Sequence, residues 1–406
     1  MVRPVVAALT VMAVTVAALA GEGPGADWPQ WRGVNRDANV AQLPTALPAA
    51  LKPAWQFKVA GECHAGPAVA EGIVVVPDHD ETSDYYRALD LTTGKELWVN
   101  KLPHETRMEY GSGPRATPVI AGGKVVVVGA RGDIHCYNLK SGKELWTKDY
   151  AKDFEANDVP TWGFCGSPVL VGDKVVFNTG GKATLVALKI EDGQTVWQSP
   201  GGGVQYSSFI LGTFGGVQQL VGVDDSLSGY DAATGKRLWR IEIDHGQGYV
   251  CPTPVNLCGK LLLSDKANRT QLFTFKDGGA IEPKAVAQNE EIGTESLSPT
   301  AFGDLIFHAG ADGLVCLDGK ELKTLWSIGE DRALGSDLFL ILAKDRGLAI
   351  GPSGHAALFS YSREGGKVIS SVKISDGGWA HPVVAGTKLI ARDKDAVYCY
   401  ELGNSK

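Results

Sequence analysis

Several familiar catalytic signatures are missing from this 406-residue chain. It has no H-E-x-x-H, no nucleophile elbow and no dinucleotide-binding glycine fingerprint. Its seven cysteines include no adjacent pair and no C-x-x-C spacing, so no c-type haem attachment is present. Methionine is nearly absent, at three residues. Positive charge is not in excess either: the net charge is -7, which argues against a nucleic-acid partner. Long helical periodicities are lacking. What the chain does have is glycine, 51 residues or nearly twice the usual share of about 7%. Short Val-rich runs recur between glycine turns, an all-β composition.

The one long apolar run lies in residues 1–20. Arg3 supplies a positive start, Val5 to Leu19 is almost wholly apolar, and Ala18-Leu19-Ala20 is an A-x-A cleavage site. The expectation is a signal peptide cleaved after Ala20, giving a periplasmic or secreted protein with no membrane span after cleavage. An uncleaved anchor is the alternative. The first cysteine beyond the run is Cys63, so no cysteine stands at the mature N-terminus for lipid attachment.

The segment Ala88 to Trp98 (Ala-Leu-Asp-Leu-Thr-Thr-Gly-Lys-Glu-Leu-Trp) organises the rest. Alternating residues give a strand, Thr92 to Lys95 a tight turn in which Gly94 can take a positive φ, and Leu97-Trp98-Val99 a returning strand. It recurs at Cys136–Trp146, Ala187–Trp197, Gly229–Trp239 and Cys316–Trp326. Counted from Trp55, the tryptophans are spaced 43, 48, 51, 42 and 87 residues apart, the last gap being two units. The missing members of the Trp column fall at Glu282 and Ser370. The hairpins' first residues form a column of Ala88, Cys136, Ala187, Gly229, Leu272, Cys316, Ser360 and Cys399, where cysteine serves as a small buried side chain. Pairing among Cys63, Cys165, Cys251 and Cys258 stays open.

Each unit begins with a Ser/Thr-Pro strand or a relative of one, as in Thr117-Pro118, Ser167-Pro168, Thr253-Pro254 and Ser298-Pro299. Four strands in about 45 residues, eight times over, predict an all-β eight-bladed β-propeller of four-stranded antiparallel blades. The last unit lacks a fourth strand, and the stretch around Trp55 is a fourth strand without a unit. The ring therefore closes by the N-terminal strand completing the last blade. The domains are 1–20 signal peptide, 21–50 irregular lead-in and 51–406 propeller. The lead-in, with Trp28 and Trp31 around a proline, reads as a strap on the surface of the propeller, with a ligand clamp as the alternative.

The Ala-x-Asp-x-x-Thr-Gly-Lys-x-x-Trp pattern resembles the tryptophan-docking motif of PQQ-like, quinoprotein alcohol dehydrogenase-like propellers over roughly residues 51 to 402. Closest in type are the propeller lipoprotein of the outer-membrane β-barrel assembly machinery and exported bacterial members opening with a similar Asp-Trp-Pro-Gln-Trp-Arg-Gly. The resemblance implies that Trp55, Trp98, Trp146, Trp197, Trp239 and Trp326 clamp neighbouring blades. It also implies that a quinone enzyme would show vicinal cysteines and a set of oxygen ligands for Ca²⁺. The chain lacks the first, and no such ligand set is identifiable. No cofactor is predicted, and no catalytic or metal residue is assigned; PQQ with calcium is the alternative.

His64, His245, His308 and His381 lie near unit starts, where side chains reach a central channel. Trp162, Tyr206, Tyr249, Glu295, Asp337 and Trp379 sit just ahead of first strands. Of these, His64, Trp162, Tyr206, Tyr249, Glu295 and Trp379 are the candidate contacts for a small or sugar-like ligand at the channel mouth. The cluster Asp78-His79-Asp80-Glu81 with Asp84 can hold Ca²⁺ but reads as a solvated turn. The connections 103–112 and 149–162 exceed the repeat and are the first place to expect a partner. The functional expectation is a non-enzymatic exported scaffold binding protein partners at the cell envelope, with an enzyme or ligand binder as the alternative.

Overall fold

The computed structural model describes residues 27–104, 108–310, 313–329, 334 and 337–403. The expected signal peptide lies outside them. Strands alternate down the chain in eight four-stranded antiparallel sheets, each a blade. Blade one comprises Ala68–Ala70, Ile73–His79, Ser83–Asp90 and Glu96–Pro103. The next six repeat this order, from the blade opened by Val119–Ala121 to the one closed by Gly366–Lys373. First strands of neighbouring blades meet one another, so they line the channel and the fourth strands face outward.

Blade eight is built from both ends of the described chain. Trp55–Lys58 pairs with Ala396–Glu401, Trp55 lying opposite Cys399, and completes the sheet of Val383–Ala385 and Lys388–Arg392. The ring has no open edge there.

The two repeated columns are cross-strand partners. Ala88 faces Trp98, Cys136 faces Trp146, and Cys316 faces Trp326. The remaining small–Trp pairs are Ala187 with Trp197 and Gly229 with Trp239. Two assignments need correction. In blade five Leu272 lies opposite Ala287, because a longer turn displaces Glu282 from the ladder. In blade seven the residue facing Ser370 is Leu358; Ser360 pairs with Lys367. In both blades a leucine on the third strand supplies volume that Trp supplies elsewhere from the fourth.

The indoles reach the following blade. Trp55 Nε1 donates to Leu91 O (2.9 Å), Trp98 to Leu139 O (2.7 Å), Trp146 to Ile190 O (3.1 Å) and Trp326 to Ser362 O (2.9 Å). Each of these rings lies against a hairpin glycine of that blade: Gly94, Gly142 and Gly193 in the turns, and Gly366 at the start of the fourth strand. Trp197 packs likewise on Gly235. Trp239 instead donates to Gln219 Oε1 (2.6 Å), and Gln219 passes the link to Gly279 O of blade five (2.8 Å).

The lead-in is not a surface strap. Trp28 bridges Val69 of blade one and is 2% exposed. Pro29 O accepts from Ile120 of blade two. The Arg36 guanidinium reaches Pro168 O (2.7 Å) and Ser167 O (3.1 Å) of blade three. Arg32 reaches Pro299 O and Thr300 Oγ1 of blade six, and Asn39 bridges Leu342 of blade seven. Contacts with blades on opposite sides of the ring require these residues to fill the channel. Beyond them, Leu47 is buried in the cluster that holds Leu358 and Tyr400, and its N–H donates to Ser370 Oγ (2.8 Å). The lead-in thus also fills the groove where blade seven has no tryptophan. Its bonds to the blades reach residues from 41 positions (Trp28 to Val69) to 323 positions (Leu47 to Ser370) away, so no local pattern announces them.

Candidate functional site

The segments entering the eight first strands converge on one face and enclose a bowl of about 290 Å³. Trp31 and Arg32 of the plug form part of its lining. The Ser/Thr-Pro motif builds much of the wall through a relay of hydroxyl groups. Thr117 N–H donates to Ser167 Oγ (3.0 Å), and Ser167 N–H to Ser208 Oγ (3.0 Å). Ser208 N–H then donates to Thr253 Oγ1 (2.9 Å), and Thr253 N–H to Ser298 Oγ (2.8 Å). Each hydroxyl meets a backbone donor of the preceding blade, a buried group that needs a partner.

Aromatic side chains crowd one side of the rim. Trp162 and Tyr206 have ring centroids 4.6 Å apart; Tyr249 meets Trp162 edge-on at 4.9 Å, and Tyr110 does so at 5.9 Å. Tyr110 and Trp162 come from the two connections longer than the repeat. Arg115 ties these connections together, donating to Trp162 O (3.1 Å), Tyr110 O (3.3 Å), Glu109 O (3.1 Å) and Gly111 O (2.5 Å). His64 adds a bond between its Nε2 and Tyr110 O (2.8 Å). Burial and the nearby Arg115 charge hold the His64 imidazole below its ordinary pKa, and its Nε2–H donates because the carbonyl oxygen can only accept. Tyr110 remains 73% exposed and Trp379 42%, leaving apolar surface open at the rim.

The candidate contacts divide between two places. His64, Trp162, Tyr206 and Trp379 line the bowl, as does His381. Tyr249 and Glu295 line a smaller neighbouring pocket with His245 and Lys266. There Lys266 Nζ lies 2.8 Å from Glu295 Oε2 and holds that carboxyl below its usual range. His308 does not reach the channel: it lies in the second strand of blade six opposite Val315 and is 3% exposed. Sequence reasoning flagged the connection that holds Tyr110 but missed Arg115, whose role depends on carbonyls of two separate segments.

The bowl's chemistry bears on a quinone cofactor. Among the described residues its lining has no carboxylate, so it lacks anionic oxygens for a hard divalent ion. Its two cysteines, Cys165 and Cys251, precede first strands of different blades and are both free thiols. The residues present do not fit PQQ with calcium. The bowl offers instead aromatic faces, hydroxyl groups and two guanidinium groups, Arg115 held by backbone carbonyls and Arg32 by a carbonyl and a hydroxyl. None of the described residues there forms an acid–base pair or an activated nucleophile.

Comparison with known proteins gives two kinds of relative. The family described as outer membrane protein assembly factor BamB matches residues 48–159, 84–250 and 161–331. Outer membrane protein assembly factor BamB of Yersinia pestis is 24% identical over 234 residues, covering 57% of this chain and 56% of that protein. Lupanine 17-hydroxylase [cytochrome c] of Pseudomonas sp is 26% identical over 260 residues, covering 58% of this chain and 36% of that protein. The chain spans about half the length of the curated relatives it matches. Among solved structures, BamB from Moraxella catarrhalis aligns with TM-score 0.62 at 16% identity, over 87% of this chain and 100% of that one. Quinohemoprotein alcohol dehydrogenase ADHIIG from Pseudomonas putida HK5 aligns with TM-score 0.65 at 14% identity, over 94% and 81%. At such identities the structural likeness speaks for the fold alone.

Proposed function

We propose that this chain, which belongs to the PQQ-like propeller family described as outer membrane protein assembly factor BamB, is a non-enzymatic exported scaffold that binds a protein partner at the cell envelope. The observation that carries this reading is the aromatic rim. Tyr110, Trp162, Tyr206 and Tyr249 form one aromatic cluster centred on Trp162, the first two on the elongated connections and the others on the next two, and part of its surface is open to solvent. Rigid aromatics with exposed faces are the side chains that protein interfaces use as anchors.

Two further features favour a surface partner over a reaction in the channel. The lead-in fills the channel, so nothing passes through the ring. The bowl lacks the carboxylates that an ion-assisted oxidation would use. The relatives named as assembly factors support a partner from the envelope's protein-assembly apparatus; those named as hydroxylase or dehydrogenase keep the enzyme reading as the competitor.

Isolation of the tagged chain from its native envelope tests the proposal, comparing wild type with Tyr110→Ala/Trp162→Ala. A stoichiometric partner recovered with wild type and lost from the folded variant is expected. Recovery unaffected by the variant would move the interface elsewhere. Alcohol-dependent dye reduction after addition of PQQ and Ca²⁺ would replace the scaffold reading with an enzymatic one.

A further inference from the structure

Blade one carries a second group of functional side chains, outside the bowl. Its second and third strands run on to His79 and start at Ser83, and its fourth strand continues to Pro103. The added length brings three side chains together. His79 pairs directly with Asp84 across the strand ladder. His104 follows the fourth strand and is fixed there by its own N–H on Thr82 O (2.9 Å).

The three ligating atoms form a nearly regular triangle. His79 Nδ1 lies 3.1 Å from Asp84 Oδ1, His104 Nε2 lies 3.0 Å from His79 Nδ1, and His104 Nε2 lies 3.4 Å from Asp84 Oδ1. The imidazole rings stack at 4.8 Å. His79 and Asp84 are buried and His104 is half-buried. In a tetrahedral site with bonds near 2.0–2.1 Å, ligand atoms are separated by about 3.3 Å. Hydrogen bonding alone serves this triangle poorly. Each ring nitrogen carries at most one hydrogen, and two N–H groups facing each other at 3.0 Å repel. A cation above the triangle satisfies all three atoms at once.

We propose that His79 Nδ1, Asp84 Oδ1 and His104 Nε2 bind a zinc-class divalent ion. Two imidazoles and one carboxylate suit Zn²⁺, with a fourth position for water, whereas Ca²⁺ and Mg²⁺ require a shell of oxygens. The neighbouring acids are engaged elsewhere. Asp78 accepts from Ala60 N–H and His79 N–H and pairs with Arg87 (3.0 Å). Asp80 is occupied by Thr82 and Tyr85. The acidic turn read from the sequence as a calcium candidate thus contributes only His79 and Asp84, and the third ligand lies twenty residues beyond Asp84.

The ion's position gives it a role. His104 opens the connection that carries Tyr110 and Arg115 to the bowl, and Gly113 of that connection packs on His79, where a Cβ would lie 2.6 Å from the histidine Cβ. Metal binding therefore fastens the base of the aromatic rim to blade one. This role rests on the proposed interface only for its consequence; metal binding itself is measured separately.

The test uses chelator-stripped chain without a histidine tag. Equilibrium dialysis against Zn²⁺, visible spectroscopy with Co²⁺ and thermal unfolding are measured for wild type, His104→Ala and Asp84→Asn. Wild type is expected to take up one Zn²⁺ per chain, show intense tetrahedral Co²⁺ bands and melt higher with Zn²⁺. His104→Ala, whose metal-free melting should match wild type, is expected to bind at least ten-fold more weakly. If either variant fails to fold, the wild-type stoichiometry and Co²⁺ spectrum still decide. Absence of saturable binding by wild type, or equal affinity in wild type and folded His104→Ala, overturns the assignment whether or not a protein partner is found.

Discussion

Gly229 faces Trp239 across the third and fourth strands of blade four, so close that a Cβ on the glycine would fall within the indole. Opposite the tryptophans whose indoles reach the following blade there is room for alanine or cysteine, and leucine appears where the opposite residue is Ala287 or Ser370. Volume is conserved across the strand pair while its source changes. Cys136→Leu alone should cost about 1–3 kcal/mol through overpacking against Trp146. Combined with Trp146→Ala, it should cost less than the sum of the single changes by about 1 kcal/mol or more, read from a denaturant double-mutant cycle.

The inter-blade contact predicts a larger effect. Trp98→Ala removes an indole that packs on Gly142 and donates to Leu139 O. The cavity should destabilise the propeller by about 3–5 kcal/mol in chemical unfolding. Gly142→Ala should also destabilise, because its Cβ would meet the indole at 2.7 Å and its φ is +68°.

Acid should weaken the fold through His308. Both of its ring nitrogens are buried without a hydrogen-bond partner, and burial lowers its pKa from 6.5 to about 4. The unfolded chain takes up this proton below pH 6.5, whereas the folded chain resists until about pH 4. The histidine's penalty is thus absent above the unfolded value and grows as pH falls through that window, to on the order of 3 kcal/mol. His308→Leu should raise the melting temperature and flatten its decline between those limits.

All seven cysteines are free thiols, and only Cys258 is exposed. Burial pushes Cys63 and Cys399 up to about 11, and Cys136, Cys165, Cys251 and Cys316 up to about 12. Thiol labelling of the native chain at neutral pH should therefore modify Cys258 quickly, Cys165 and Cys251 at the bowl slowly, and Cys63, Cys136, Cys316 and Cys399 only on unfolding. Peptide mapping by mass spectrometry reads the sites.

The propeller was legible because its decisive residues recur. Small residues and tryptophans on paired strands announce themselves when five hairpins share them, and the unpaired strand at Trp55 finds its place by counting. Blades five and seven were misaligned where Leu272 and Leu358 exchange sizes with their partners, since the pattern tracks identity and packing tracks volume. The mouth residues are placed by position ahead of a strand, which serves Trp162 and Trp379 but misplaces His308, which lies within the second strand of its blade. Arg115 and the lead-in were opaque for another reason. Their bonds run to backbone carbonyls or to distant blades, and neither leaves a periodic mark. His104 was opaque as well, because it meets His79 and Asp84 only when the fourth strand returns beside them.

The aromatic rim as a protein interface is the central claim, and site-specific photocrosslinking in the native envelope tests it most directly. A photoreactive residue replaces Trp162 at the rim or, as a control, Asp173 in the exposed turn between the first two strands of blade three, on the opposite face. Position 162 is expected to capture one protein in high yield, and position 173 none of it. Equal capture at both positions, or none from the rim of a correctly folded chain, would contradict the account.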